Sequence, residues 1–162
     1  MSIDVQEAIK RSIQTEKNAM NFYQLGARQM KNPDARRMFE TLAREEREHA
    51  GHFYKIYRGG DIPSLDAFLD APADTESSWI SSLSGLIADF SEQKALELAM
   101  NKEKKLEETL RDTAAKIEDR EVRAVFELNA HETHNHFLQI EAEYSRIMGM
   151  VDETDMDIYV RE

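Results

Sequence analysis

Residues 36–57 read RRMFETLAREEREHAGHFYKIY, and residues 123–144, 87 positions further on, read RAVFELNAHETHNHFLQIEAEY. That offset pairs Arg36 with Arg123, Phe39 with Phe126, Glu40 with Glu127, Ala43 with Ala130, His49 with His136 and Tyr57 with Tyr144. It also reaches back into the preceding segment, pairing Gln6 with Gln93, Ala8 with Ala95, Glu16 with Glu103, Lys17 with Lys104 and Ala27 with Ala114. One fixed offset without a gap makes each half a single structural unit. Each unit reads as two helices, so the chain is expected to be all-α: two repeated helical hairpins docked as an antiparallel four-helix bundle. Such a bundle can present carboxylates and imidazoles from all four helices to one central point. The offset fails at one position that matters, where Glu46 meets Thr133.

The helices can be placed from periodicity and caps. Helix 1 is expected over about 4–29, with Ile9, Ile13, Met20 and Leu25 along one stripe. Asn32-Pro33 stops and restarts the chain, since Asn suits an N-cap and Pro the first helical position. Helix 2 then runs to about Tyr57, and Gly59-Gly60 ends it. Helix 3 spans about 91–116, capped by Ser91, and helix 4 about 120–147, ending near Gly149. Residues 59–90 fit neither copy and read as a long crossover between helices 2 and 3. Within it Trp79, Leu83, Leu86 and Ile87 suggest a short amphipathic helix, with Trp79 a packing anchor. Residues 1–150 are thus one bundle domain, followed by an acidic tail over 151–162.

Composition narrows the function. At 162 residues the chain can bury a sizeable core. It contains no cysteine, which excludes disulfides, thiolate zinc sites, iron–sulfur clusters and a rubredoxin-type iron centre within it. A formal net charge of -11 repels phosphate backbones, so nucleic acid is not an expected partner. Residues 1–10 lack a signal pattern and no apolar run approaches a membrane span, so a soluble, cytoplasmic protein with no membrane contact is expected.

Glu46 and His49 lie three apart on one helix face, a spacing that lets a carboxylate and an imidazole share a metal. Alone, the pair reads more readily as surface charge in the run Arg44-Glu45-Glu46-Arg47-Glu48. Position shifts the reading. Glu16 precedes the Asn32-Pro33 turn by about as many residues as Glu46 and His49 follow it, so in an antiparallel hairpin all three share one level. Glu16 interrupts an apolar stripe between Ile13 and Met20, and Glu103 sits likewise between Met100 and Leu106. Carboxylates in such places need a cation, a partner or a proton. Lys17 and Lys104 directly follow them and so point about 100° away. His131 and His134 point away from the His136 direction and read as surface.

Several segments together resemble the rubrerythrin branch of the ferritin-like di-iron carboxylate proteins. They are Thr15 to Tyr23, Glu45-Glu46-Arg47-Glu48-His49-Ala50, Asn101-Lys102-Glu103-Lys104, and Phe126 with His136 ten residues on. The likeness covers about residues 4–147. It implies two iron (or manganese) ions, with Glu16 and Glu103 as terminal ligands, Glu46 as a bridge, and His49 and His136 as nitrogen ligands. It further implies that Tyr23 hydrogen-bonds a ligand carboxylate. The second bridging position is Thr133, so three carboxylates face the four positive charges of two divalent ions. Glu132, one turn before His136, is a candidate substitute; a hydroxide or small carboxylate from solution is another. Leu106 stands where rubrerythrins carry an extra glutamate tied to peroxide chemistry, and Glu107 lies one residue beyond.

The resemblance implies a di-metal protein that reduces peroxide or oxidises iron in oxidative-stress defence, drawing electrons from an external donor. Two other readings stay open: a degenerate member with a mononuclear or empty site, and a structural bundle whose inward glutamates pair with lysine or arginine. A homodimer formed through the crossover and Trp79 is also expected.

Overall fold

A computed structural model describes the backbone of residues 3–160 and the side chains of residues 3–149, residue 88 excepted in both. Its helices are α1 (Val5–Gln29), α2 (Pro33–Lys55), α3 (Leu65–Asp70), α4 (Ser78–Ile87), α5 (Glu92–Ala115) and α6 (Arg120–Val160). There is no strand among the described residues. The four long helices are those expected, and α3 and α4 occupy the crossover.

The caps explain the boundaries. The Asp4 carboxylate accepts from the Glu7 amide at 3.1 Å, opening α1. Asn32 Oδ1 accepts from the amides of Asp34 and Ala35 at 2.9 and 3.1 Å, with Pro33 in the first helical position where its missing donor is harmless. Ser91 accepts from the Lys94 amide, and Asp119 from those of Glu121 and Val122. The last helix departs from expectation: α6 continues past Gly149 to Val160 instead of giving way to a tail. No described glycine adopts positive φ, so Gly149 does not form the left-handed cap that ends many helices. Residues 161 and 162 lie outside the described range.

α1 pairs with α2 and α5 with α6, and the two hairpins meet where α2 packs on α6. Their repeat-related positions are buried together: Ile9 and Leu96, Phe39 and Phe126, Ala43 and Ala130, Phe53 and Ile140. Phe53 and Phe126 touch edge to face at 4.9 Å across the α2–α6 junction.

The crossover breaks this symmetry. α4 packs on α1 and α5, sinking Trp79 against Phe22 at 5.3 Å and Tyr23 at 6.2 Å. Lys17 is buried and donates to the carbonyls of Leu69 and Ala71, at 3.2 and 2.7 Å, and to Asn21. A lysine there costs desolvation, which lowers its pKa, but the C-terminal carbonyls of α3 accept the ammonium. Its repeat mate Lys104, with no crossover above it, is exposed. Arg47 holds α3 from the other side through Asp66 and Asp70.

At Gly26 the α1 backbone lies directly over the Phe39 ring. An added Cβ would fall 2.7 Å from Phe39 Cε2, and Phe39 is itself wedged against Phe22 and Tyr23. Gly26→Ala should therefore destabilise the protein by about 1–3 kcal/mol despite alanine's higher helix propensity. Chemical denaturation measures this; a neutral or stabilising result would mean the ring moves freely.

Candidate metal centre

Glu16 on α1, Glu46 and His49 on α2, Glu103 on α5 and His136 on α6 converge in the interior, each no more than 2% exposed. The helical spacing explains how. Glu46 and His49 share one face of α2, and the antiparallel hairpin brings Glu16 to their level. The other hairpin does the same for Glu103 and His136. Within this group His136 Nδ1 lies 2.9 Å from Glu46 Oε1 and 3.6 Å from Glu103 Oε1. His49 Nδ1 lies 3.4 Å from Glu46 Oε1 and 3.6 Å from Glu16 Oε2. The two imidazoles stack, 16° from parallel with centroids 5.0 Å apart.

The inward atoms are close without being hydrogen-bonded. Both oxygens of Glu16 and of Glu46, Oε2 of Glu103, and Nδ1 of both His49 and His136 have no hydrogen-bond partner. Buried polar atoms are nearly always satisfied, so this concentration of unsatisfied donors' and acceptors' atoms at one point needs a cause. A cation supplies one: carboxylate oxygens and imidazole nitrogens aimed at a common centre are the ligand set of iron or manganese. One ligand atom each from Glu46, His49 and His136 lies within 4.8 Å of the others. Among the described residues no lysine or arginine reaches Glu16, Glu46 or Glu103 within ion-pair distance, which removes the basis for a structural bundle with internally paired charges.

The outer nitrogens are occupied. His49 Nε2 is 3.0 Å from a Glu132 oxygen, and His136 Nε2 is 3.2 Å from a Glu45 oxygen. Each carboxylate comes from the opposite hairpin, and Glu45 and Glu132 are repeat mates. A carboxylate on the far nitrogen fixes the ring and directs the near nitrogen inward, as metal-ligating histidines require. Glu132, weighed above as a substitute bridge, is thus placed outside the cluster, on a histidine. The repeat held the signal for both residues: the offset preserves Glu45 and Glu132 where it breaks at Glu46 and Thr133.

Tyr23 donates from its hydroxyl to Glu103 Oε1 at 2.6 Å. Burial, with the nearby Glu103 and Glu46 charges, raises the phenol well above its ordinary pKa, so it stays a donor. The repeat-related position is Leu110, so no hydroxyl answers to Glu16. Glu103 is therefore anchored by one oxygen while Glu16 is free at both.

Thr133 is fully buried at the bridge position, its hydroxyl without a partner. Leu106 is buried, and Glu107 turns away to Arg111 Nε at 2.8 Å and His134 Nδ1 at 2.9 Å. His131 is exposed and His134 half-exposed in that pair, both on the surface as expected. His52 Nδ1 lies 3.3 Å from Asn129 Oδ1, a buried amide whose Nδ2 donates to the Val125 carbonyl.

Electrostatics show what the cluster does without a cation. Burial alone lowers the imidazoles, but Glu16 and Glu46 override it at His49, raising it to about 12. Glu103 and Glu46 raise His136 to about 11. Burial raises Glu16 well above its usual range and raises Glu103, and the Glu46 charge adds to both. Burial opposes ionisation of Glu46, yet the His136 and His49 imidazoles beside it hold it well below the ordinary carboxylate value. Protons shared among carboxylates and imidazoles then stand where cations would.

The pH dependence of stability follows. The two histidines, raised above 6.5, stabilise the metal-free fold fully below that pH and lose the contribution as pH rises towards 11–12. The raised Glu16 and Glu103 act in the same direction from 4.5 upward, and Glu46 opposes only in acid. Chelated protein should melt at lower temperature at pH 9 than at pH 6. Metal-loaded protein should gain most at pH 9, because ligand protons compete with the cation. Calorimetry with and without chelator tests this; parallel pH profiles would contradict it.

Among the described residues no helix is long and apolar enough to cross a membrane. Compared with known proteins, the chain matches the Rubrerythrin family over residues 7–143, which takes in all four long helices and every residue of the cluster. No curated protein and no solved structure matches it. The chain belongs to the rubrerythrin family, a branch of the ferritin-like di-iron carboxylate superfamily.

Proposed function

We propose that this protein is a two-metal carboxylate redox protein, loaded with iron in preference to manganese, that reduces peroxide or oxidises ferrous iron in defence against oxidative stress. The observation that carries this reading is the set of inward, unpartnered oxygens and nitrogens on Glu16, Glu46, Glu103, His49 and His136. Two bound ions would supply the electrons and the Lewis acidity for that chemistry. The chain's own residues hold and tune them. Glu46 reaches towards both histidines and so is the shared ligand. Glu103, pinned by Tyr23, keeps one oxygen inward, and Glu16, unpinned, can change its binding mode. The Tyr23 hydroxyl is a proton donor at the edge of the centre.

Three carboxylates leave two divalent ions one negative charge short. The deficit lies at Thr133, and an anion from solution makes it up. Electrons come from a separate donor, since the chain has no cysteine with which to build an iron–sulfur or rubredoxin-type centre. A second reading, a mononuclear site, is favoured by one observation: Glu132 is engaged with His49 and does not replace the missing bridge. Anaerobic Fe(II) loading followed by metal analysis separates the two. Two ions per chain supports the di-metal protein, one the mononuclear site, and none rejects both.

For assembly the proposal is a homodimer. Trp79 is spent on its own chain, so pairing would draw on Ile87 of α4 and Leu128 and Leu138 of α6, the large apolar side chains that remain exposed among the described residues. Sedimentation showing only monomer would reject it.

A further inference from the structure

A cavity of about 250 Å³ opens between α1 and α5 beneath the start of α4, and its lining has a consistent chemistry. Arg11 from α1 and Lys102 and Lys105 from α5 supply three cations. Trp79, Leu106 and Leu110 supply an apolar wall. The only acid in the lining is Glu16, whose carboxylate is turned towards the metal centre. The protein as a whole carries a net charge of -11, so three cations around one cavity run against its average. No carboxylate lies within ion-pair distance of any of the three among the described residues, whereas Arg36, Arg37, Arg47 and Arg111 each have one. Lys102 and Lys105 are one turn apart on the same face of α5, and Lys102 is half-buried. Arg11 and Lys105 are exposed at the rim, and cations gathered around one cavity with no acid between them are stabilised by a bound anion.

We propose that this α1–α5 cavity binds a small organic anion, with its acid group held by Lys102, Lys105 and Arg11 and its apolar body against Trp79, Leu106 and Leu110. A simple inorganic anion would use the cations and leave the apolar wall wet. A neutral hydrocarbon would use the wall and leave the cations unpaired. Both features together select a molecule that has both parts, of which a medium-chain carboxylate is the simplest. Because Glu16 forms part of the lining, the cavity lies against one residue of the metal centre. The binding itself rests on the cavity and does not depend on how many ions the centre holds.

Trp79 is the only tryptophan in the chain and lines the cavity, so its emission reports occupancy directly. The test titrates the full-length protein with octanoate, and in parallel with octanol and inorganic phosphate. Octanoate should produce a saturable change in Trp79 emission, with octanol and phosphate each at least about tenfold weaker, since one lacks the charge-assisted hydrogen bonds and the other the apolar burial. The double variant K102Q/K105Q should weaken octanoate by about tenfold or more. K104Q, which alters the same lysine run on the side facing away from the cavity, should leave it within about twofold. Lys104 and Lys105 are exposed and Lys102 is half-buried, and circular dichroism confirms that the variants fold. The proposal is overturned if octanoate gives no saturable signal, if octanol or phosphate binds equally well, or if K102Q/K105Q and K104Q behave alike. Loss of iron binding in a separate sample would count against the metal centre and leave this result standing.

Discussion

Glu46→Ala should cost the protein at least one metal ion per chain. Among the described residues Glu46 is the only carboxylate that approaches both histidines, at 3.4 Å from His49 Nδ1 and 2.9 Å from His136 Nδ1. Its removal takes the shared ligand from the centre and lowers the carboxylate charge facing the ions by one third. The metal-free protein should suffer as well. Glu46 helps both imidazoles keep their protons, beside Glu16 at His49 and Glu103 at His136, and removing one member of a buried ionic group typically costs about 3–5 kcal/mol. Metal analysis after anaerobic loading and thermal melting of the chelated protein read the two effects separately. Iron content equal to that of the parent protein would disprove the ligand assignment. Glu132→Ala provides the contrast. It removes a hydrogen bond to the outer nitrogen of His49 and no inward ligand, so the ion count should stay while affinity falls by about 10- to 100-fold. If Glu132→Ala also empties a site, Glu132 is a ligand after all, and the outward placement of its carboxylate changes on metal binding.

The second large effect is expected at Trp79, far from any chemistry of its own. Trp79→Ala removes the side chain that fixes α4 to α1 and α5, leaving a hole beside Phe22 and Tyr23. Truncations of buried aromatics to alanine cost about 3–5 kcal/mol. For a domain of this size the loss lowers the melting temperature on the order of 10 °C. It should also reach the metal centre, since Tyr23 packs on Trp79 and holds Glu103 in place. A weaker iron affinity with unchanged ion count would be the signature. A Trp79→Ala protein as stable as its parent would mean that α4 contributes little to the bundle, and that Lys17 and Arg47 alone hold the crossover.

Much of this was legible in the chain. The offset of 87 positions named the two hairpins, and the spacing of Glu16, Glu46, His49, Glu103 and His136 placed five ligand-type residues at one level. A repeat with helical periodicity leaves little freedom: once the hairpin turn at Asn32-Pro33 is fixed, the rise per residue sets which side chains meet. The less legible parts involve residues whose partners lie far away in sequence. That Glu45 and Glu132 each serve the histidine of the other hairpin requires knowing how the hairpins dock, with separations of 91 and 83 residues. The position of Lys17 next to Glu16 shows only that it points away from the cluster, and its burial under carbonyls 52 and 54 residues away depends on the crossover. The end of α6 was misplaced because Gly149 was read as a stop, while its backbone stays helical.

Sequence by itself therefore determined the four long helices, their pairing and the identity of the inward acid and imidazole groups, because these follow from local periodicity and from a repeat that copies it. Only the tertiary structure decided which of those groups face a common point, which carboxylates stand behind the histidines, and how the crossover makes two similar hairpins unlike. Those features depend on contacts between segments distant in the chain, and no local pattern encodes the docking that brings such segments together.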